Sequence, residues 1–326
     1  MGLSTSMCKP SLKILVTGSN GFVGKELCSH LREQGYLVVP TARSDADGVS
    51  MAVGEINQST VWAVALKNVD VIIHLAARVH VMDEAQTDSY AEFERINVHG
   101  SARLACEAVA AGVKRLVFVS SVKVNGETTH GQAFAETDVP HPQDAYGRSK
   151  LAAEQVLTQI ALETGLELVI VRPPMVIGPD AKGNLPVLMR GLLRGLPLPL
   201  ACVRNRRSFV GVHNLVSLLE LCAVQPAAAG EVFMAADEPA LSTPTLILGL
   251  ARGLECKARL WPMPVLVLRM LAALAGKRAQ IERLSSDLDV DATKARRVLG
   301  WMSQESLDEV LFRTARQYLQ TSERRT

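Results

Sequence analysis

The chain has 326 residues, 48% of them hydrophobic, which is enough for one large domain or two linked ones. Lys and Arg number 35 against 33 Asp and Glu, so the net charge of +2 argues against a nucleic-acid partner. The six cysteines are scattered and form no C-x-x-C pair, so we expect neither a disulfide framework nor a metal site.

The first half of the chain alternates apolar runs with helical patterns. The candidate strands are LKILVTG, YLVVPTAR, NVDVIIHLAA, VKRLVFVSS and LELVIVRP. The candidate helices between them are FVGKELCSHLREQG, YAEFERINVHGSARLACEAVAAG and AYGRSKLAAEQVLTQIALETG. Continuous apolar strands that alternate with helices predict an α/β fold, a Rossmann-type doubly wound parallel sheet, over residues 1–172.

After Pro173 frequent prolines break this rhythm. We predict a smaller, mixed substrate-binding region over residues 173–326, with segments near 207–236 returning to the Rossmann domain. The apolar stretch from Trp261 to Gly276 is too short to span a membrane, and Arg269 interrupts it. We expect a helix packed on the body of the protein there; an interfacial helix is the alternative. No signal-peptide pattern opens the chain, so we expect a cytoplasmic protein.

Three glycines spaced three residues apart follow the first strand: Gly18, Gly21 and Gly24. A strand before them and a helix after them are the setting of a dinucleotide turn, in which a pyrophosphate lies on the helix N-terminus. The spacing is G-x-x-G-x-x-G, which differs from the commonest fingerprint, and a plain glycine-rich turn is the alternative.

The end of the second strand bears on the choice of cofactor. NAD sites usually place a carboxylate there to bind the ribose 2′-hydroxyl, whereas this strand ends in Thr-Ala-Arg-Ser with Arg43. An arginine suits a 2′-phosphate. We therefore favour NADP(H), and NAD(H) is the alternative.

A tyrosine and a lysine four residues apart, Tyr146 and Lys150, share one face of a predicted helix. The ammonium would lower the pKa of the phenol, so that Tyr146 could protonate an alkoxide as hydride arrives, or take the proton in the reverse direction. Ser120 and Ser121 follow the fourth strand, where a hydroxyl could hydrogen-bond the same oxygen. We interpret His74, which stands in an apolar strand, as a buried structural residue.

The chain resembles the extended short-chain dehydrogenase/reductases that act on nucleotide sugars. The matching motifs are TGSNGFVG (17–24), HLAA (74–77), INVHGS (96–101), SSVKVNG (120–126), Y-x-x-x-K (146–150), RPPMVIGP (172–179), RRSFVGVHNL (206–215) and VDATKARRVLGW (290–301). They span nearly the whole chain in the family's order.

The resemblance implies a role for each matching residue. The catalytic residues would be Ser121, Tyr146 and Lys150. The cofactor would be bound by Gly18, Asn20, Gly21, Phe22, Val23, Arg43, Glu55, Ile56, Ala76, Ala77, Arg78, Lys150, Pro173 and Val176. The sugar nucleotide would be bound by Arg78, Ser121, Asn125, Asn184, Leu185, Arg207 and Arg283. The resemblance also implies a homodimer.

Departures from the family pattern narrow the reaction. The loop after Ser121 lacks the Asp-Glu pair of 4,6-dehydratases, and Asn125 replaces the usual tyrosine. We favour a 4-keto reductase acting on a UDP-4-keto-6-deoxy-N-acetylhexosamine in O-antigen or other surface polysaccharide synthesis. A UDP-hexose or UDP-N-acetylhexosamine 4-epimerase with bound NAD is the main alternative. A non-catalytic NADP-binding sensor or scaffold is the third, although its relatives tend to lose the tyrosine or the lysine.

Overall fold

The computed structural model describes residues 12–45, 48–79, 89–181, 183–276 and 278–323. Its strands are β1 (Lys13–Thr17), β2 (Leu37–Ala42), β3 (Met51–Ala52), β4 (Val71–His74), β5 (Arg115–Val119), β6 (Glu167–Arg172), β7 (Met175–Ile177), β8 (Phe209–Gly211) and β9 (Val232–Met234). Seven of them form one parallel sheet in the order β3-β2-β1-β4-β5-β6-β9, and β7 pairs with β8. The predicted doubly wound sheet is confirmed, with the order reversing direction beside β1.

The helices alternate with these strands in the first half of the chain and dominate the second. They are α1 (Phe22–Glu33), α2 (Ser89–Phe93), α3 (Gly100–Ala110), α4 (Ala145–Thr164), α5 (Asn184–Leu193), α6 (Val212–Val224), α7 (Thr243–Gly253), α8 (Val265–Leu274), α9 (Arg278–Ser285), α10 (Thr293–Leu299) and α11 (Leu307–Glu323). None of the helices in the described part of the chain is long and apolar enough to cross a membrane.

The chain divides into two compact units. Unit 1 is formed by the described residues within 12–119, 152–170 and 222–231. Its core is the apolar centre of the sheet, where Ile14, Leu15, Ile72 and Leu116 are fully buried, as expected for parallel strands covered on both faces. Unit 2 is formed by the described residues within 120–151, 171–221 and 232–323.

Two predicted helices have features that the sequence does not predict. The helix predicted over residues 90–112 is divided, because a π-helical turn, Glu94–His99, joins α2 to α3. This turn carries the buried Asn97, whose side chain holds the loop after β4; such widened turns often mark functional sites. Helix α8 packs on the protein through one side, where Leu268 and Ala272 are buried, but the other eight of its ten residues are not buried.

Candidate active site

The turn between β1 and α1 can be built only with glycine at two of its positions. Gly18 has φ +68°, and a Cβ there would lie 3.1 Å from the backbone of Ala76. A Cβ on Gly24 would lie 2.1 Å from the carbonyl oxygen of Gly18, so no side chain fits. The first turn of α1 therefore lies directly against the end of β1, as a dinucleotide turn requires.

The N-terminus of α1 is suited to an anion. Gly21 is the N-cap and provides no side-chain cap, and the first intrahelical hydrogen bond runs from Lys25 N to Gly21 O. The amides of Phe22 and Val23 precede that bond, so they have no acceptor within the helix. Together with the helix dipole they fit the pyrophosphate of a nicotinamide dinucleotide, and the close glycine turn leaves room for it.

A buried chain of hydrogen bonds stabilises the glycine turn at the end of β1. The Thr17 hydroxyl oxygen accepts the backbone N–H groups of Leu75 and Ala76, at 3.1 Å each, so its proton points to His74 Nδ1, 2.6 Å away. His74 Nε2 then carries the ring proton and donates it to Ser101 Oγ at 2.9 Å, and Ser101 donates to the carbonyl of Asn97 at 2.6 Å. His74 is only 1% exposed, which confirms its structural role.

The loop after β4 is held by Asn97. Its side-chain oxygen accepts the Arg78 N–H at 2.8 Å, and its amide nitrogen donates to the Arg78 carbonyl at 3.1 Å. Ala76, Ala77 and Arg78 are thereby fixed within unit 1, beside the turn at Gly18. Two other predicted cofactor residues are placed by contacts of their own: Glu55 pairs with Arg95 at 3.1 Å, and Ile56 packs closely on Gly100.

Arg43 is exposed and follows the last residue of β2 directly. Ser19, in the phosphate turn, donates its backbone N–H and its hydroxyl to the Thr41 carbonyl at 3.1 and 3.0 Å. These bonds hold the end of β2 next to the turn, so Arg43 stands at the position where dinucleotide folds bind the adenosine ribose. The exposed Asn20 lies within the turn.

Tyr146 and Lys150 lie one turn apart near the start of α4, on one face of the helix as predicted. Lys150 is 1% exposed. In the same unit, Ser121 has an extended backbone and caps a short 3₁₀ turn, because its Oγ accepts the Lys123 N–H at 3.2 Å. Ser120 Oγ is buried and lacks a hydrogen-bond partner among the described residues, whereas the Ser121 side chain is partly exposed.

The pKa of Tyr146 differs in direction from the sequence-based expectation. Burial of the phenol, followed by the negative charge of Asp144, raises the pKa of Tyr146 to about 12. The i, i+4 spacing with Lys150 predicts a lowered pKa instead. In the protein without ligand the phenol is therefore protonated near neutral pH and is ready to act as an acid.

A charged cluster borders this tyrosine. Lys123 forms ion pairs with Asp144 and with Glu127, the latter at 3.1 Å, and Arg283 lies 3.7 Å from Glu127. Burial raises the pKa of Asp144, but the hydrogen bonds from Lys123 and from the Gly147 amide outweigh burial and leave that pKa lowered. Lys123, Glu127 and Asp144 were not singled out from the sequence; their only signal was proximity to the Ser121 and Tyr146 motifs.

Of the predicted substrate-side residues, Arg78 belongs to unit 1 and the others belong to unit 2. Asn125 is buried; its side-chain amide donates to the Ala135 carbonyl, and its side-chain oxygen accepts a hydrogen bond from Arg172. These bonds stabilise the loop that follows Ser121. Arg207 is half-buried; burial lowers its pKa, and its guanidinium donates to the Ser286 carbonyl at 3.2 Å. Asn184 and Leu185 open α5, and Arg283 is in α9. The predicted cofactor residues Pro173 and Val176 also belong to this unit: Pro173 follows β6, and Val176 is in β7.

Comparison with known proteins identifies the family. Residues 14–236 match the NAD-dependent epimerase/dehydratase family. The chain is 38% identical to a UDP-glucose 4-epimerase of Vibrio cholerae, over 95% of this chain and 97% of that protein. A UDP-glucose 4-epimerase structure from Thermotoga maritima with UDP-glucose shares the fold, with a TM-score of 0.78 and 24% identity over 95% of this chain and all of that one. The structure of RMD from Pseudomonas aeruginosa complexed with NADPH also shares the fold. Its TM-score is 0.76, with 21% identity over 95% of this chain and 99% of that one.

These matches agree with the glycine turn of unit 1 and the Tyr-Lys helix of unit 2. The prediction of a nicotinamide-dependent enzyme is confirmed at this level. The chain belongs to the NAD-dependent epimerase/dehydratase family and is an oxidoreductase of the extended short-chain dehydrogenase/reductase class.

Proposed function

We propose that this protein is a UDP-sugar 4-epimerase acting on a UDP-hexose or UDP-N-acetylhexosamine. The observation that carries the proposal is the Tyr146–Lys150 pair on α4, in a chain 38% identical to a UDP-glucose 4-epimerase. The sequence alone favours a 4-keto reductase over a 4-epimerase. The similarity to a UDP-glucose 4-epimerase reverses this preference.

Three side chains would manage the proton at the sugar O4. Tyr146, as the phenolate, takes the proton from the hydroxyl as a ketone forms at C4, and returns it when the ketone is reduced on its other face. Ser121 Oγ hydrogen-bonds the same oxygen, and the Lys150 ammonium stabilises the phenolate. A bound nicotinamide supplies the hydride chemistry that side chains lack.

The binding residues support the same assignment. The glycine turn and the amides at the start of α1 would hold the cofactor pyrophosphate. Arg78 and the residues around it would line the cofactor. Arg207 and Arg283 would pair with the diphosphate of the sugar nucleotide, since a guanidinium binds phosphate oxygens well. Glu127 lies near Arg283 and adds a favourable charge to Arg207, so it would keep both cations in place before substrate arrives.

The 4-keto reductase is the second candidate, and Arg43 is the observation that favours it. A reductase must exchange its cofactor after each turnover, and reductive enzymes draw on NADPH, whose 2′-phosphate an arginine at the end of β2 would bind. On this alternative the substrate would be a UDP-4-keto-6-deoxy-N-acetylhexosamine in surface polysaccharide synthesis.

One experiment separates the candidates. Purified protein is incubated with UDP-glucose or UDP-N-acetylglucosamine and catalytic NAD, and in parallel with the 4-keto-6-deoxy sugar nucleotide and NADPH. The epimerase predicts C4 epimers in the first reaction without net cofactor consumption. Stoichiometric oxidation of NADPH in the second reaction alone would establish the reductase instead.

A further inference from the structure

Helix α8 presents an apolar stripe to solvent. Leu266, Met270 and Leu274 stand four residues apart on one face and are 71%, 61% and 86% exposed. The only buried side chains among its residues are Leu268 and Ala272, on the opposite side. A surface helix normally turns polar residues outward, so a helix that is apolar on both sides indicates that the outer face is covered by something.

The chain leading into α8 extends this surface. Trp261, four residues before the helix, is 63% exposed. Its backbone N–H donates to the Leu198 carbonyl at 2.9 Å, which places the loop after α5 alongside it. Two more exposed apolar residues lie here: Leu193 ends α5, and Leu196 is in the loop after it. We call these residues, together with the outer face of α8, the apolar surface.

The charge around the apolar surface is mainly positive. The sequence has no Asp or Glu between Glu255 and Glu282, where it has five Lys and Arg, and none between Asp180 and Glu220, where it has six. The exposed basic residues beside the apolar surface are Arg190, Arg194, Arg259, Arg269 and Arg278. Of these, Arg269 pairs with Glu282 at 3.2 Å. This local excess stands out in a chain whose net charge is +2.

We propose that the apolar surface docks this protein on the headgroup region of an anionic lipid bilayer. Leucine and methionine would enter the interface, Trp261 would sit at headgroup level, and the arginines would face the lipid phosphates. At ten residues α8 is suited to lie on a bilayer and cannot span one.

A second copy of this chain fits the surface less well. A two-fold contact through the same face would bring the acid-free arginine-bearing segments of both copies together, with like charges opposed. An anionic bilayer offers both an apolar interior and the opposite charge. Charge complementarity therefore selects the bilayer as the occupant.

Vesicle flotation tests the proposal with the full chain. The wild type should float with phosphatidylcholine–phosphatidylglycerol vesicles, bind pure phosphatidylcholine more weakly, and lose binding as salt rises. The double variant Leu266→Glu, Met270→Glu should bind at least about tenfold more weakly. The matched control is Val139→Glu, Met302→Glu, which changes two other exposed apolar residues by the same charge and should bind like the wild type.

A second variant pair guards against misfolding of the first. Arg259→Gln, Arg278→Gln keeps the apolar stripe and should weaken binding to anionic vesicles while reducing its salt dependence. Three results would overturn the proposal. The first is no flotation of the wild type with anionic vesicles, and the second is equal binding by the α8 variant and its control. The third is a wild-type protein that binds no vesicles but forms an oligomer, which the α8 variant converts to monomers. The readout is lipid binding, so it stands apart from the proposed activity.

Discussion

Lys123 and Asp144 form an ion pair beside the helix turn that carries Tyr146. Asp144 also accepts the Gly147 N–H at 2.7 Å, which caps the start of α4, and its charge contributes to the raised pKa of Tyr146. A carboxylate in this position opposes ionisation of the phenol, and Lys123 is the partner of that carboxylate. The pair therefore tunes the tyrosine assigned to proton transfer.

Asp144→Asn should lower the pKa of Tyr146 from about 12, because the amide removes the negative charge and keeps an oxygen to accept the Gly147 N–H. The measurement is an alkaline titration of phenolate absorbance, with Tyr146→Phe subtracted to isolate this residue. Asp144→Ala, which also loses the cap, is the control for a purely structural effect. An unchanged titration in Asp144→Asn would refute the electrostatic role of Asp144.

The same raised pKa sets the direction of a stability change with pH. The pKa of Tyr146 is about 12 in the folded chain against 10.0 for an ordinary tyrosine, so the unfolded chain loses this proton first. The contribution is fully present below pH 10 and is lost as pH rises toward 12. The free energy of unfolding should fall more steeply over this interval in the wild type than in Tyr146→Phe. The free energy of unfolding of both proteins is measured by urea denaturation at each pH. An equal decrease with pH in the two proteins would contradict this prediction.

Tyr146→Phe should reduce turnover by about 10²–10⁴-fold, the usual contribution of general acid–base catalysis, and leave cofactor binding intact. The hydroxyl is the only group removed, so the fold of α4 is retained. Turnover is measured with saturating sugar nucleotide, and cofactor affinity is measured separately by calorimetry. Turnover close to that of the wild type would remove Tyr146 from the mechanism.

Arg43→Ala should weaken NADPH binding by about tenfold and change NADH binding little, because the two cofactors differ only in the 2′-phosphate. Arg43→Lys should recover part of the loss. Dissociation constants for both cofactors, measured at one ionic strength, check this expectation. Equal losses for NADPH and NADH would mean that Arg43 does not recognise the phosphate.

His74→Leu should destabilise the protein by about 1–3 kcal/mol, because the buried hydroxyls of Thr17 and Ser101 would each lose a partner. The matched control is His99→Leu at an exposed position, which should change stability by no more than about 0.5 kcal/mol. Urea denaturation of both variants gives the comparison. If His74→Leu lowered the free energy of unfolding no more than the control does, the hydrogen-bond network would not contribute to stability.

The sequence predicted the features that depend on local pattern. The strand, glycine turn and helix from Lys13 to Glu33 follow from apolar runs and from the backbone freedom of glycine, and the structure confirms them. The shared face of Tyr146 and Lys150 follows from helical geometry alone.

Features that depend on tertiary contacts could not be predicted in the same way. The partner of Asp144 is Lys123, 21 residues earlier in the chain, and neither residue type nor spacing indicates that contact. The sign of the Tyr146 pKa shift depends on burial, which the i, i+4 spacing with Lys150 does not reveal. The exposure of α8 likewise could not be seen, because an apolar helical pattern does not say which face the protein covers.

The central claim is reversible hydride transfer at C4 of a UDP-sugar with Tyr146 as the proton carrier. It is tested most directly with UDP-glucose or UDP-N-acetylglucosamine deuterated at C4, incubated with the protein and NAD and followed by NMR. We predict the C4 epimer with deuterium retained at C4, and its absence in Tyr146→Phe. No C4 epimer from either sugar, or an epimer that has exchanged its deuterium for solvent hydrogen, would contradict the assignment.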